Sequence, residues 1–243
     1  MDESLLRKYP QLEESHFWWV TRRMLLSNLI AGMNLGESPR VLDVGCGNGV
    51  LASELATDGA HVTAVDLAFS GAIAQSSRKM VDFREGDYVE MAQVLGEFDL
   101  VLALDTIEHV QNEAAILEAI RNNMRPGAHT LITVPAYHWL WSKHDEDNGH
   151  FRRYTRARLM AALERAGLDI VRSGYLFFGL IGPKALAGIL ERSRNTNVTM
   201  VFPSTGINRL AMWYFELETR LAMQGTSFLP AGTSVIAIAR RSL

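Results

Sequence analysis

The stretch Val41-Leu42-Asp43-Val44-Gly45-Cys46-Gly47-Asn48-Gly49 decides how the chain is read. An apolar run containing one acid enters three glycines at alternate positions, and the run Val50-Leu51-Ala52-Ser53-Glu54-Leu55 behind them is helical in character. Strand, glycine turn and helix start together make a nucleotide site. The glycines let the backbone turn sharply and approach a ligand with no Cβ in the way, and the helix N-terminus offers free N–H groups. A dinucleotide fold uses G-x-G-x-x-G and an uncharged strand end, so that a pyrophosphate can sit on the helix. Here the spacing is G-x-G-x-G, and Asp43 stands two residues before the first glycine. A carboxylate at that point repels a pyrophosphate and can hold a cation.

Downstream the elements alternate as in a parallel, doubly wound sheet, with apolar strands expected at 40–44, 61–66, 81–84, 98–104 and 128–134 and helical stretches between them. The second strand ends at Asp66, where a carboxylate can accept both hydroxyls of a ribose; a helix cap is the plainer alternative. The third leads into Gly86-Asp87-Tyr88. Asp87 by itself reads as a turn residue. The fourth, Phe98-Asp99-Leu100-Val101, runs on to Asp105-Thr106-Ile107-Glu108-His109-Val110, and Arg125-Pro126-Gly127 forms a turn before the fifth.

In this order and spacing the four motifs resemble the class I S-adenosylmethionine-dependent methyltransferases of the small-molecule type, over residues 40–135. The resemblance implies an α/β fold: a Rossmann-like seven-stranded sheet with helices on both faces. It implies S-adenosyl-L-methionine as cofactor and S-adenosyl-L-homocysteine as product. In the first motif it assigns cofactor contacts to Asp43, Gly45, Cys46, Gly47, Asn48 and Gly49. Asp66 and Leu67 would meet the ribose, Asp87 would accept from the adenine amine, and Tyr88 would offer its backbone N–H to the ring. Leu104, Asp105 and His109 follow from the fourth motif.

At 243 residues, one domain with an accessory segment is expected. Charged residues make up 21% and the net charge is −3, so there is no basic field to draw in nucleic acid. The single cysteine, Cys46, excludes an internal disulfide, fits a reducing cytoplasm, and reads as a small turn residue. Met1-Asp2-Glu3-Ser4 is acidic, and no apolar run approaches the ~20 residues of a membrane span, so a soluble cytoplasmic protein is expected. Residues 4–34 read as helix broken at Pro10 and carry His16-Phe17-Trp18-Trp19-Val20-Thr21-Arg22-Arg23. The resemblance favours a lid whose Trp19 and Arg23 close over the ligand and its carboxylate; a helix packed on the domain edge is the alternative. The expected organisation is a lid at 1–35, the cofactor-binding core at 36–178, a helical insertion at 179–230 and a last core strand at 231–243.

A second informative stretch, 137–154, follows the fifth strand at the sheet edge where open α/β folds bind ligands. Its titratable and aromatic residues point to acceptor recognition by Tyr137, Trp141, Arg153 and Tyr154. Histidine suits a base near neutral pH, so His144 and His150, with His109 behind them, are the catalytic candidates. The spacing of His144, Asp145 and His150 also invites a metal, but no fourth ligand is identifiable and no metal is expected. Strands at 168–178 and 233–240 enclose an insertion with helical patterns at 184–192 and 206–223. It would cover the acceptor pocket, build a homodimer contact or rest on a membrane surface. The expected reaction is O- or N-methylation of a small-molecule, sugar- or lipid-linked acceptor, as in natural-product or polysaccharide biosynthesis. The rivals are an inactive methyltransferase-like scaffold subunit and an NAD-dependent oxidoreductase, the latter disfavoured by Asp43.

Overall fold

Alternation of apolar strands and amphipathic helices leaves each strand to be covered on both faces. In the computed structural model, which describes residues 15–68, 77–194, 204–225 and 228–243, it is. β1 (Arg40–Val44), β2 (His61–Asp66), β3 (Val81–Glu85), β4 (Phe98–Leu104) and β5 (Met124–Pro135) are parallel. β7 (Ser234–Arg241) lies antiparallel between β5 and β6 (Leu168–Leu176), giving the order β3-β2-β1-β4-β5-β7-β6. The strand order reverses between β1 and β4, so a crevice opens beyond their carboxyl ends.

Successive residues of β1 serve opposite layers. Leu42 and Val44 pack with α4 (Tyr88–Leu95), α5 (Glu113–Asn122) and α7 (Arg156–Arg165) on one face. Val41 packs on the other with α1 (Phe17–Ala31), α2 (Val50–Thr57) and α9 (Thr205–Gln224). Asp43 shares the parity of Val41, so its carboxylate points toward α1. The remaining helices are α3 (Ser77–Met80), α6 (Lys143–Asp147) and α8 (Ile181–Arg194).

Several expected boundaries move. Of the helix expected at 4–34, residues 1–14 lie outside the described residues; α1 begins at Phe17, after His16 accepts the Trp18 N–H through Nδ1 at 3.2 Å. Arg125-Pro126-Gly127 belongs to β5 instead of forming a turn before it, and the β4–β5 register shifts between Phe98 and Leu100. Proline lacks the N–H that a regular ladder needs, which matches an irregular start to the strand. β6 stops at Leu176 because Phe177 turns left-handed, φ 61°, with its ring buried against Trp18 and Phe215. The two insertion helices occur, each slightly longer than expected, at 181–194 and 205–224.

The insertion and α1 are joined. Asn208 of α9 accepts the Phe17 N–H at 2.9 Å and donates to the Ser15 carbonyl at 2.8 Å, capping the start of α1 from outside, and Phe17 stacks on Phe215 at 5.4 Å. On the opposite face, buried Asn123 accepts from the Tyr88 hydroxyl at 2.9 Å and donates to the carbonyls of Ala92 and Gly96 at 2.8 and 2.6 Å. Replacing Asn123 by Ala strands those three groups. The expected loss is about 2–4 kcal/mol of unfolding free energy, measured in urea, with an unchanged denaturant slope.

Candidate active site

Three strand ends are sewn together where the order reverses. Gly45 and Cys46 donate backbone N–H bonds to the Val65 carbonyl at 2.8 and 3.3 Å, and the Thr106 hydroxyl donates to the Val44 carbonyl at 2.8 Å. All three glycines of the loop are left-handed, but for different neighbours. A Cβ on Gly45 would strike Thr106 and one on Gly49 would strike Phe83, while one on Gly47 would enter open space. Gly47 therefore keeps the cavity floor clear, and the other two allow close packing.

That floor belongs to a cavity of about 650 Å³ between α1, the strand ends and α8. The cofactor candidates Asp43, Gly45, Cys46, Gly47 and Asn48 line it, as do Asp66, Leu67, Asp87, Tyr88, Leu104, Asp105 and His109. Gly49 is the member of the loop that stays behind, under Phe83. Asp66 accepts the Gly47 N–H at 2.8 Å, so this carboxylate shapes the loop as well as facing the cavity. Asp87 caps α4 through the N–H groups of Val89 and Glu90 at 2.8 and 3.4 Å and still lines the cavity. The turn role and the ligand-facing position coexist. Tyr88 buries its ring in the core, leaving its backbone as the part suited to a ligand. The Cys46 thiol is pushed up, first by burial and then by Asp43 and Asp66, which suits a turn residue and not a nucleophile.

Burial pushes the Asp43 carboxyl up to about 7, with Arg22 opposing and Asp66 adding to the shift. A buried acid in that state gains from a cationic ligand. From α1, Trp19 and Arg23 line the cavity, but Arg23 pairs with Glu54 at 2.8 Å. The arginine that reaches the strand ends is Arg22. It pairs with Asp105 at 2.9 Å, donates to the Thr133 hydroxyl at 2.9 Å and stacks on Trp18 at 5.3 Å. Its position, one residue before Arg23 on a helix, sends it about 100° round the axis, an offset that the doublet Arg22-Arg23 left open.

The 137–154 segment is organised by Asp145, which has no exposed surface. Its carboxylate takes two bonds from Arg153, at 2.8 and 2.9 Å, one from His150 Nδ1 at 2.8 Å, and the Ser142 N–H at 2.9 Å. Burial alone would raise its pKa; His150 and Arg153 hold it well below the usual range instead. Arg153 also donates to the Ala136 carbonyl at 2.9 Å, so this guanidinium is engaged by Asp145 and the backbone while it borders the cavity.

Tyr154 is a correction to the expected site. It is fully buried, and its hydroxyl donates to Glu113 at 2.5 Å, under a layer of core residues. Tyr137 stacks between Trp139 and Tyr175, at 5.7 and 5.1 Å, and neither it nor Trp141 lines the cavity. The backbone explains this: Ala136 bridges Tyr154, closing 137–154 at its base, and turns the first residues outward.

All three candidate histidines do reach the cavity. Surrounding protein and then Lys184 push His144 down to about 4, while burial and then His150 lower His109. His150 has its Nδ1 on Asp145, which orients the ring and leaves Nε2 for a ligand. The His144, Asp145, His150 set does not converge on a metal, because Asp145 is spent on Arg153. Glu108, His109 and His150 do converge, with donor atoms within 4.8 Å of one another, and this is the set that could hold an ion. Glu108 is wholly buried, neither carboxylate oxygen has a hydrogen-bond partner among the described residues, and burial and then Asp105 raise its pKa. In the sequence Glu108 stands only as part of the fourth motif, with no role of its own. Lys184, from α8, also lines the cavity, and no motif gives it a role; its pKa is pushed down to about 8 by burial and then by Arg153. A cation on the inner side of an otherwise apolar helical turn is the signal that was available for it.

Comparison with known proteins agrees with this geometry. The family described as methyltransferase domain matches residues 18–173, about two-thirds of the chain. The chain is 32% identical over 151 residues to the ubiquinone biosynthesis O-methyltransferase of Aromatoleum aromaticum, covering 55% of this chain and 62% of that protein. It thus spans less than two-thirds of that relative. A S-adenosylmethionine-dependent methyltransferase structure from Archaeoglobus fulgidus superimposes with a TM-score of 0.60 at 18% identity, covering 99% of this chain and 100% of that one. The magnesium protoporphyrin IX methyltransferase of Synechocystis with bound S-adenosylhomocysteine gives 0.55 at 18% identity, covering 92% and 85%. The chain belongs to the methyltransferase-domain family, with the fold of the class I S-adenosylmethionine-dependent methyltransferases.

Proposed function

We propose that the protein methylates a hydroxyl oxygen of a small or lipid- or sugar-linked acceptor, with S-adenosylmethionine as donor. The observation that carries this reading is one cavity lined both by strand-end acids with a glycine floor and by His150, which Asp145 holds. The relative's name, an O-methyltransferase, supports oxygen as the target atom.

When bound, S-adenosylmethionine supplies an electrophilic methyl on a sulfonium. The chain's own residues would hold and orient it: Asp66 for the ribose hydroxyls, Asp87 for the adenine amine, and Asp43 for the positive end. His150 Nε2 would take the acceptor's hydroxyl proton as the oxygen accepts the methyl that the donor supplies, the donor leaving as the neutral thioether, and would then pass the proton to solvent. Asp145 stabilises the imidazolium and fixes the tautomer, as an orienting carboxylate does. His144, held largely neutral and weakly basic by its surroundings, is the poorer base. A second reading is favoured by the partnerless Glu108 oxygens: a divalent ion on Glu108, His109 and His150 would bind the acceptor hydroxyl and lower its pKa. Turnover lost on dialysis against a chelator and restored by a divalent salt selects that reading; turnover unchanged by chelator selects His150 as base.

Asp66→Ala is expected to weaken S-adenosylhomocysteine binding more than tenfold in calorimetric titration, because charge-assisted bonds contribute roughly 1.5–3 kcal/mol each. Unchanged affinity would leave Asp66 as a loop anchor. His150→Ala should cost on the order of 10²–10⁴ in kcat with cofactor affinity intact. A variant that turns over normally removes His150 from the reaction. Asp43 attracts a cation only when ionised, and its pKa is raised to about 7. Affinity for S-adenosylmethionine should therefore rise as pH passes upward through that value, and Asp43→Asn should flatten the rise. A flat wild-type profile would show that Asp43 does not sense the ligand's charge.

A further inference from the structure

The face of α9 turned away from the core is apolar along its whole length. Ile207, Leu210, Trp213 and Leu221 are each more than half exposed, and Tyr214 and Leu217 are exposed between them. At 100° per residue these six positions share an arc of about 120°, a stripe as wide as one that normally faces a core. Phe178 and, on α8, Leu186 and Ile189 are also more than half exposed. Glu218 and Tyr214 fasten α9 to this region: Glu218 accepts the N–H groups of Phe178 and Gly179 at 3.0 and 3.3 Å, and Tyr214 lies where a Cβ on Gly179 would be. Single exposed apolar residues need no explanation, but a contiguous row of this kind marks a surface that something covers.

Charge says what. Exposed positions of α9 carry two charges, Arg209 and Arg220, both basic. Its acids are withdrawn: Glu216 is half-buried and Glu218 is buried on the backbone of 178–179. Both arginines fall beside Trp213 on one border of the stripe, three turns apart. Across residues 178–225 there are five basic residues against three acidic ones, on a chain whose net charge is −3. A two-fold copy of the chain set on this face would bring arginine toward arginine. An apolar stripe bordered by arginine is instead the pattern of a helix lying in the interface of an anionic bilayer. No helix among the described residues is long and apolar enough to cross a membrane.

We propose that α8 and α9 dock the protein on an anionic lipid surface. α8 links this surface to the cavity: its Lys184 lines the cavity while Leu186 and Ile189 of the same helix face outward. The docked enzyme would therefore draw its acceptor from the lipid interface, an amphiphile with a polar head that enters beside Lys184. That substrate class rests on the methyl-transfer reading; the docking does not.

The test is co-sedimentation of the full chain with vesicles of phosphatidylcholine alone and of phosphatidylcholine mixed with phosphatidylglycerol, alongside titration with S-adenosylhomocysteine. Binding to the anionic vesicles is expected, with the neutral ones at least tenfold weaker. Arg209→Ala and Arg220→Ala should each weaken it about fivefold. The double variant Leu210→Ser with Trp213→Ser should abolish it while keeping S-adenosylhomocysteine affinity. If that variant does not fold, the wild-type comparison of the two vesicle types still decides. Absence of binding to anionic vesicles overturns the proposal, as does equal binding to both. Sedimentation of the free chain as a dimer that the double variant dissolves would overturn it in favour of a second copy. Loss of S-adenosylhomocysteine binding by the wild type would instead count against the methyl-transfer reading, with the lipid result standing on its own.

Discussion

The buried pair Asp145–Arg153 is the contact on which the 137–154 wall of the cavity depends. A carboxylate with no exposed surface must have its charge answered, and here a bidentate guanidinium answers it at 2.8 and 2.9 Å. Taking two charges out of water costs several kcal/mol per ion, so such a pair contributes more to geometry than to net stability. The geometry is what matters. Arg153 also holds the Ala136 carbonyl at the end of β5, Asp145 caps its own short helix at Ser142, and its remaining capacity aims His150. An eighteen-residue excursion is thereby fixed to the sheet at both ends, with His144 and His150 bordering the cavity. Removing either partner leaves the other charge buried, and the cavity wall would move with it.

The cofactor end is governed by backbone and not by ion pairing. At the reversal of strand order the chain has to leave β1, avoid Thr106 and Phe83, and keep the cavity floor free of side chains. Left-handed backbone at Gly45, Gly47 and Gly49 meets all three demands, and residues with a Cβ meet them poorly. Because the constraint acts on residue type, it was written in the sequence. The same holds for Asp43, Asp66 and Asp87, each at a strand end where a period-two pattern stops. Their plain structural uses, loop anchor for Asp66 and helix cap for Asp87, are also realised in the fold. One carboxylate with two oxygens can serve a cap and a ligand together, so the two readings never excluded each other.

The 137–154 segment was less legible, for a different physical reason. Aromatic and charged side chains serve packing and recognition equally well, and the sequence does not say which way they point. Tyr154 and Tyr137 were read as acceptor contacts, but one closes the core under Glu113 and the other stacks on Tyr175. The pairing of Arg153 with Asp145 is not legible in the sequence, because its partner lies eight residues away across a turn that no period predicts. Glu108 posed the reverse difficulty. Its identity was plain, but its chemical state comes from burial and from Asp105 near it. Lys184 comes from an insertion that the family core lacks, so the resemblance was silent about it.

Acids and bases share the lining of one cavity: Asp43, Asp66, Asp87, Asp105 and Glu108, with Arg22 paired to Asp105, and Lys184, His144 and the Asp145-bound His150. α1 and α8 both border the cavity, and α9 is tied to the first through Asn208 and to the turn that leads into the second through Glu218 and Tyr214. The helix that bears the exposed apolar stripe is thus also the one packed against both segments that flank the cavity.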